Sequence, residues 1–147
     1  MNNLSEEKIF NYINNQSRNK IVIYQKALPI VISLDIGASL AQEIKEFPNK
    51  NNLTLKVKGK LDQILSDHIQ SDVELGTYLA IHNIGILFEP DLKIDFLALI
   101  DNLSKNQILF IKWEGEMGPN TLYFLTKSKG IEINIKNISH LIITDEI

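Results

Sequence analysis

Tyr78-Leu79-Ala80-Ile81-His82-Asn83-Ile84-Gly85-Ile86-Leu87-Phe88 is a nearly continuous apolar run, interrupted by the polar pair His82-Asn83. A half-exposed strand alternates apolar and polar residues; this segment does not. It suits a central strand covered on both faces by other layers. The fold reading works outward from there. Glu89-Pro90-Asp91 breaks the run, and Leu92, Phe96, Leu99, Ile100 and Leu103 then recur on one helical face. Ile108-Leu109-Phe110-Ile111 is a second buried-strand candidate, ending at Trp113-Glu114-Gly115.

Upstream, the pattern predicts a helix over 5–16, capped by Ser5, with Glu6 and Glu7 in its first turn and Leu4 and Ile9 spaced as a hydrophobic staple. Two β-rich runs follow, Lys20 to Tyr24 and Leu28 to Leu34. The link between them is too short for neighbouring parallel strands, which need about a dozen residues. A hairpin or one long bent strand is expected, with Pro29 at an edge or bend. Asp35 offers an N-cap to a helix carrying Ile36, Leu40, Ile44 and Phe47, and Pro48 with Asn49 to Asn52 ends it. Leu53 to Val57 alternates like a short strand, and Leu61, Ile64, Leu65 and Ile69 predict a helix over about 60–71. Gly115 to Asn120 reads as a turn. Leu122 to Leu125 and Ile131 to Ile135 read as a hairpin across Ser128-Lys129-Gly130, and Leu141 to Ile143 as an edge strand. Strands alternating with helices, then hairpins, give an α/β class: a central, partly parallel sheet flanked by helices, with C-terminal β-hairpins, in one domain spanning 1–147.

Composition narrows the chemistry. The chain has 147 residues, 44% hydrophobic and 22% charged, with a formal charge of −3. No global field draws it to nucleic acid or an anionic membrane. Arg18 is the only arginine, so bidentate phosphate recognition has one donor. With no cysteine there are no disulfides, thiolate nucleophiles or Cys-based zinc sites. No apolar run approaches a membrane span, and Met1 to Glu7 is polar and acidic rather than a signal peptide. A cytoplasmic protein of bacterial type is expected.

The segments Leu79 to Pro90, Leu92-Lys93-Ile94-Asp95, Leu103-Ser104-Lys105-Asn106 and Trp113-Glu114-Gly115 resemble, in order and spacing, the small P-loop protein of bacteriophage-exclusion (BREX) defence systems, the BrxF family. Ile32-Ser33-Leu34-Asp35 with Leu40 is a weaker echo. The resemblance implies a minimal AAA-type ATPase scaffold. The departures fall where the chemistry belongs. Tyr24 is followed by Gln25-Lys26-Ala27-Leu28, and GxxxxGK[ST] occurs nowhere in the chain. By the resemblance, His82 stands where a magnesium-shell Asp is expected, Gly85 where the family carries a Glu, and Lys105 where it carries an Arg. The expectation is a degenerate P-loop NTPase-like fold without ATPase activity.

No catalytic residue, cofactor-binding residue or metal ligand is expected. The histidines, His68, His82 and His140, lack HxH or HExxH spacing. His68 falls on an apolar helical stripe and is expected at a core margin. His82 and Asn83, near a strand end where open α/β sheets gather ligands, are candidate pocket or partner contacts. Trp113 and Glu114 end the next strand and join them as candidates. The plainer reading of each pair is a strand end, His82-Asn83 hydrogen-bonded to backbone and Trp113-Glu114 an edge Trp with a solvated carboxylate. Lys56, Lys58 and Lys60 form a basic cluster without interleaved aromatics, which reads as solvated surface rather than a nucleic-acid contact. The expected function is therefore a non-catalytic pseudo-ATPase acting as a protein-binding subunit or regulator in a BREX-like system. Its partner would be a larger ATPase of that system, and homo-oligomerisation stays open. The alternatives are a stand-alone immunity or inhibitor protein with one protein target, and an enzyme using His82 and Glu114.

Overall fold

A computed structural model describes residues 4–47, 52–125 and 130–143. The core of the protein is a sheet of parallel strands: β1 (Ile21–Tyr24), β2 (Ser33–Asp35), β4 (Gly76–His82), β5 (Ile108–Lys112) and β9 (Leu141–Ile143). Their order is β2-β4-β5-β1-β9, and each neighbouring pair is parallel. A short strand β3 (Gln70–Asp72) runs antiparallel to the first half of β4. It shares that edge of β4 with β2, which pairs only with Ala80, Ile81 and His82.

The period-2 geometry of the strands divides the core in two. Ile21, Ile23, Leu79, Ile81, Leu109 and Ile111 face one side. There they meet α2 (Ile36–Lys45), α3 (Leu53–Asp67) and α4 (Phe96–Asn106) through Leu40, Leu61 and Ile100. Val22, Tyr24, Tyr78, Ala80 and Phe110 face the other side and meet α1 (Leu4–Ile13) through Ile9 and Tyr12. The central strands are apolar on both faces because both faces are covered. Beyond β5, an antiparallel sheet of β6 (Glu116–Met117), β7 (Thr121–Leu125) and β8 (Gly130–Asn134), in the order β6-β7-β8, packs Leu122 and Ile133 into the helix-covered side.

Several expectations are corrected. Residues 28–32 form neither a hairpin nor a bent strand. The link from Tyr24 to Ser33 is an irregular segment laid across the α1 face, with Leu28, Ile30 and Val31 packed against that cluster. It connects strands that lie three places apart in the sheet, with β4 and β5 between them, so the rule against a short neighbouring connection is obeyed. Leu53 to Val57 is not a strand but the first turns of α3. Leu53, Val57, Leu61 and Leu65 repeat every fourth residue, and this helical stripe outweighs the short alternation. The apolar run is a strand only as far as His82; Asn83 turns left-handed (φ 56°) and residues 84–88 form a 3₁₀ helix. The helix expected at 5–16 spans Leu4–Ile13, so Ser5 lies inside it rather than at its cap. His68, expected at a core margin, is exposed at the end of α3, its ring Nδ1 2.8 Å from the Ile64 carbonyl. The turn expected at 115–120 contains β6. The expected hairpin is present, with Leu122 opposite Ile133, and its connection at 126–129 lies outside the described residues, as do 48–51.

Glycines separate two kinds of constraint. A Cβ at Gly115 would lie 2.0 Å from the Tyr123 carbonyl oxygen, whereas one at Gly59, inside α3, would meet nothing within 4 Å. Gly115→Ala is therefore expected to cost roughly 1–3 kcal/mol by overpacking. Gly59→Ala should add about 0.5–1 kcal/mol through helix propensity. Urea denaturation midpoints of the two variants, moving in opposite directions, check the close approach of β7 to the end of β5.

Candidate functional site

The C-terminal ends of β1, β2 and β4 bring together Tyr24, Ser33, Asp35, His82 and Asn83. Ser33 and Asp35 share one face of β2 because they are two residues apart. β2 lies in register with β4, so Asp35 stands opposite His82. The Ser33 Oγ is 2.7 Å from His82 Nδ1, and the buried Tyr24 hydroxyl is a further side-chain partner of Ser33. Hydroxyl, hydroxyl and imidazole thus form a chain from the core to a half-buried histidine. Burial removes water from the Tyr24 phenol and pushes its pKa up to about 12, against which the Ser33 bond acts weakly.

Asp35 holds the other half of the site. Its Oδ1 accepts from the Ala38 N–H (2.8 Å), capping α2, and from the Asn83 side-chain amide (2.8 Å). The Ala38 N–H, then Asn83 and more weakly His82 hold its carboxyl below the usual carboxylate range. Asn83 packs so closely on α2 that a Cβ at Gly37 would sit 2.5 Å from its side-chain nitrogen. This close approach accounts for a glycine in the first turn of a helix.

Trp113 and Glu114 do not converge on this cluster. Trp113 is 1% exposed and lies on the opposite face of the sheet, in the core that α2, α3 and α4 cover. Its indole N–H donates to the Tyr123 carbonyl (3.1 Å), and its ring meets Phe88 edge-on at 5.9 Å between centroids. Its backbone N–H donates to the Tyr24 carbonyl (2.7 Å). Trp113 therefore works as a packing residue that fixes the β1–β5 end. Glu114 is exposed, and among the described residues no hydrogen bond or ion pair joins it to His82. The carboxylate that stands opposite His82 is that of Asp35. Sequence reasoning singled out His82 and Asn83 but not Tyr24 or Ser33. The Ser-x-Asp spacing beside a helix cap was the available signal; its pairing with His82 depends on strand register.

A second polar cluster lies at the opposite end of the sheet. The buried Asn19 donates its amide to the Asp101 carbonyl (3.1 Å), the Asp101 carboxylate (3.0 Å) and Ser104 Oγ (2.9 Å). Lys105 pairs with Asp101 at 3.2 Å, one turn away on α4. These contacts lock α4 to the entry of β1 and lie far from His82. Among the described residues, no group of three or more His, Asp or Glu side chains could hold a metal ion. No helix of the described residues is long and apolar enough to cross a membrane.

The Tyr24 pKa has a measurable consequence. Folding raises it above the unfolded value near 10, so the folded state keeps a proton that the unfolded chain releases. Stability should hold below pH 10 and fall between pH 10 and 12, by roughly 2–3 kcal/mol for this group. Urea melts across that range check it: Tyr24→Phe should remove most of the alkaline drop while costing about 1 kcal/mol at neutral pH through the lost bond to Ser33.

No protein family, curated protein or solved structure matches this chain.

Proposed function

We propose that this chain is a non-catalytic relative of AAA-type ATPases that works as a protein-binding subunit or regulator. Its context would be a BREX-like phage-defence system, with a larger ATPase of that system as partner. One observation carries the reading. Counted in chain order, the parallel strands β1, β2, β4, β5 and β9 lie side by side as 5-1-4-3-2, the strand order of the AAA-type fold. The connection that would carry a P-loop and its helix runs from Tyr24 to Ser33, and here it is a short irregular segment.

The chemistry at the same place supports the reading further. A P-loop offers a ring of backbone N–H groups and a lysine to phosphate oxygens. After β1 this chain has Gln25, whose side-chain amide donates to the Gly115 carbonyl at 2.6 Å. The end of β4, where the resemblance expects an acidic residue for magnesium, holds a histidine engaged with Ser33. A triphosphate and its cation would find neither cradle nor counter-ligand there.

Isothermal titration with ATP and magnesium tests the non-catalytic half; no heat of binding is expected at millimolar nucleotide, and micromolar affinity would refute the proposal. Co-purification of the tagged chain from a host carrying the defence locus tests the other half. Recovery of the system's larger ATPase is the expected result. Recovery of one unrelated toxin instead would favour an immunity protein.

A further inference from the structure

We propose, building on the protein-binding reading, that the outer edge of β8 accepts an extended, lysine- or arginine-bearing segment of a partner protein as an added strand. β8 pairs with β7 on one side and, among the described residues, with no strand on the other. Antiparallel pairs alternate between residues that exchange main-chain bonds and residues that do not. Ile135 donates to the Asn120 carbonyl at 2.9 Å, continuing the ladder in which Leu122 faces Ile133 and Phe124 faces Ile131. The Thr121 carbonyl points the other way, accepting from Gly118 in the β6 direction. Glu132 and Asn134 therefore turn their main-chain N–H and C=O groups away from β7. No other element of the described residues hydrogen-bonds to them.

What they face is a groove of about 360 Å³. Ile131, Glu132, Ile133 and Asn134 line it consecutively. Successive side chains of a strand point to opposite faces, so a cavity touching four in a row runs along the edge rather than over a face. The far wall is apolar, built from Phe88, Pro90, Ile94 and Leu97. Leu97 and Ile131 remain 37% and 42% exposed across the opening. Strand addition uses such a site in two ways: main-chain bonds give affinity, and alternate side chains enter the apolar wall for specificity.

Charge selects the occupant. Glu89, Asp95 and Glu132 line the groove against Lys93. An acidic rim attracts a basic segment and disfavours a second copy of the same edge, which would bring like charges together.

The test uses the full chain and a fluorescein-labelled peptide of alternating Lys and Val, with a Glu/Val peptide as control. Fluorescence anisotropy reads binding, and amide hydrogen exchange reads its place. The Lys/Val peptide should bind and protect the Glu132 and Asn134 amides, and the control should not. Glu132→Lys, an exposed change that leaves the ladder intact, should weaken binding about tenfold. Glu132→Pro, which removes an outward N–H, should abolish it while circular dichroism stays native. Equal binding of both peptides, protection outside β8, or indifference to both variants overturns the proposal. So does a concentration-dependent dimer that protects the same amides without peptide. If the partner recovered by co-purification is still retained by Glu132→Pro, this docking site falls while the protein-binding reading stands.

Discussion

The chain leaves β1 at Tyr24 and must reach the far side of β4 by residue 33. That constraint shapes one whole face of the molecule. Two strands intervene, so the link spans three inter-strand spacings, about 14 Å. An extended chain of this length covers that distance comfortably. What makes it feasible is the shortness of β2. Leu34 pairs with Ile81 at the level where Ile23 meets Ile111, so the link hardly has to descend the sheet. A long β2 would have required a crossover helix. Without one, Leu28, Ile30 and Val31 supply the apolar cover, and the Ile32 N–H is held by the Tyr78 hydroxyl at 2.9 Å.

The same geometry builds the polar cluster. A helix on this face would cover the ends of the strands; the low link leaves them free to bond to one another. Tyr24, Ser33 and His82 then satisfy each other along the β1–β2–β4 end, and Asp35 turns the chain into α2. On the opposite face the work is done by aromatic packing. Phe88 lies 4.8 Å from Phe96 and 4.7 Å from Phe124 between ring centroids. Those contacts seat the β6–β7–β8 sheet on the core and hold β8 along the groove.

Much of this was legible before any coordinates. The buried runs at 79–82 and 108–111 name the central strands because nothing else tolerates apolar residues on both faces. The stripe Ile36, Leu40, Ile44 and the cap at Asp35 name α2. What failed did so for physical reasons. Leu53 to Val57 is compatible with both periods over so short a window, and only its continuation through Leu61 and Leu65 decides for a helix. Residues 84–88 are as apolar as the strand before them. Their departure follows from Asn83 turning left-handed against Gly37, a tertiary contact that no local pattern announces. The site was half legible. His82 could be placed at a strand end, but Trp113 and Glu114 could be assigned to a face only once the register of β5 was known. Ser33 and Tyr24 gained meaning from strands distant in sequence.

The order of the parallel strands also bears on how the chain assembles. β1 precedes both its neighbours by a long stretch of chain: they are residues 109–112 on one side and 141–143 on the other. Until those arrive, Ile21, Val22 and Ile23 have no partners in the sheet. The centre of the protein therefore closes last, over long loops whose entropy must be met before any reward. A nascent chain emerging from the ribosome would carry this sticky segment until residue 143 has followed, which makes β1 the natural handle for a chaperone.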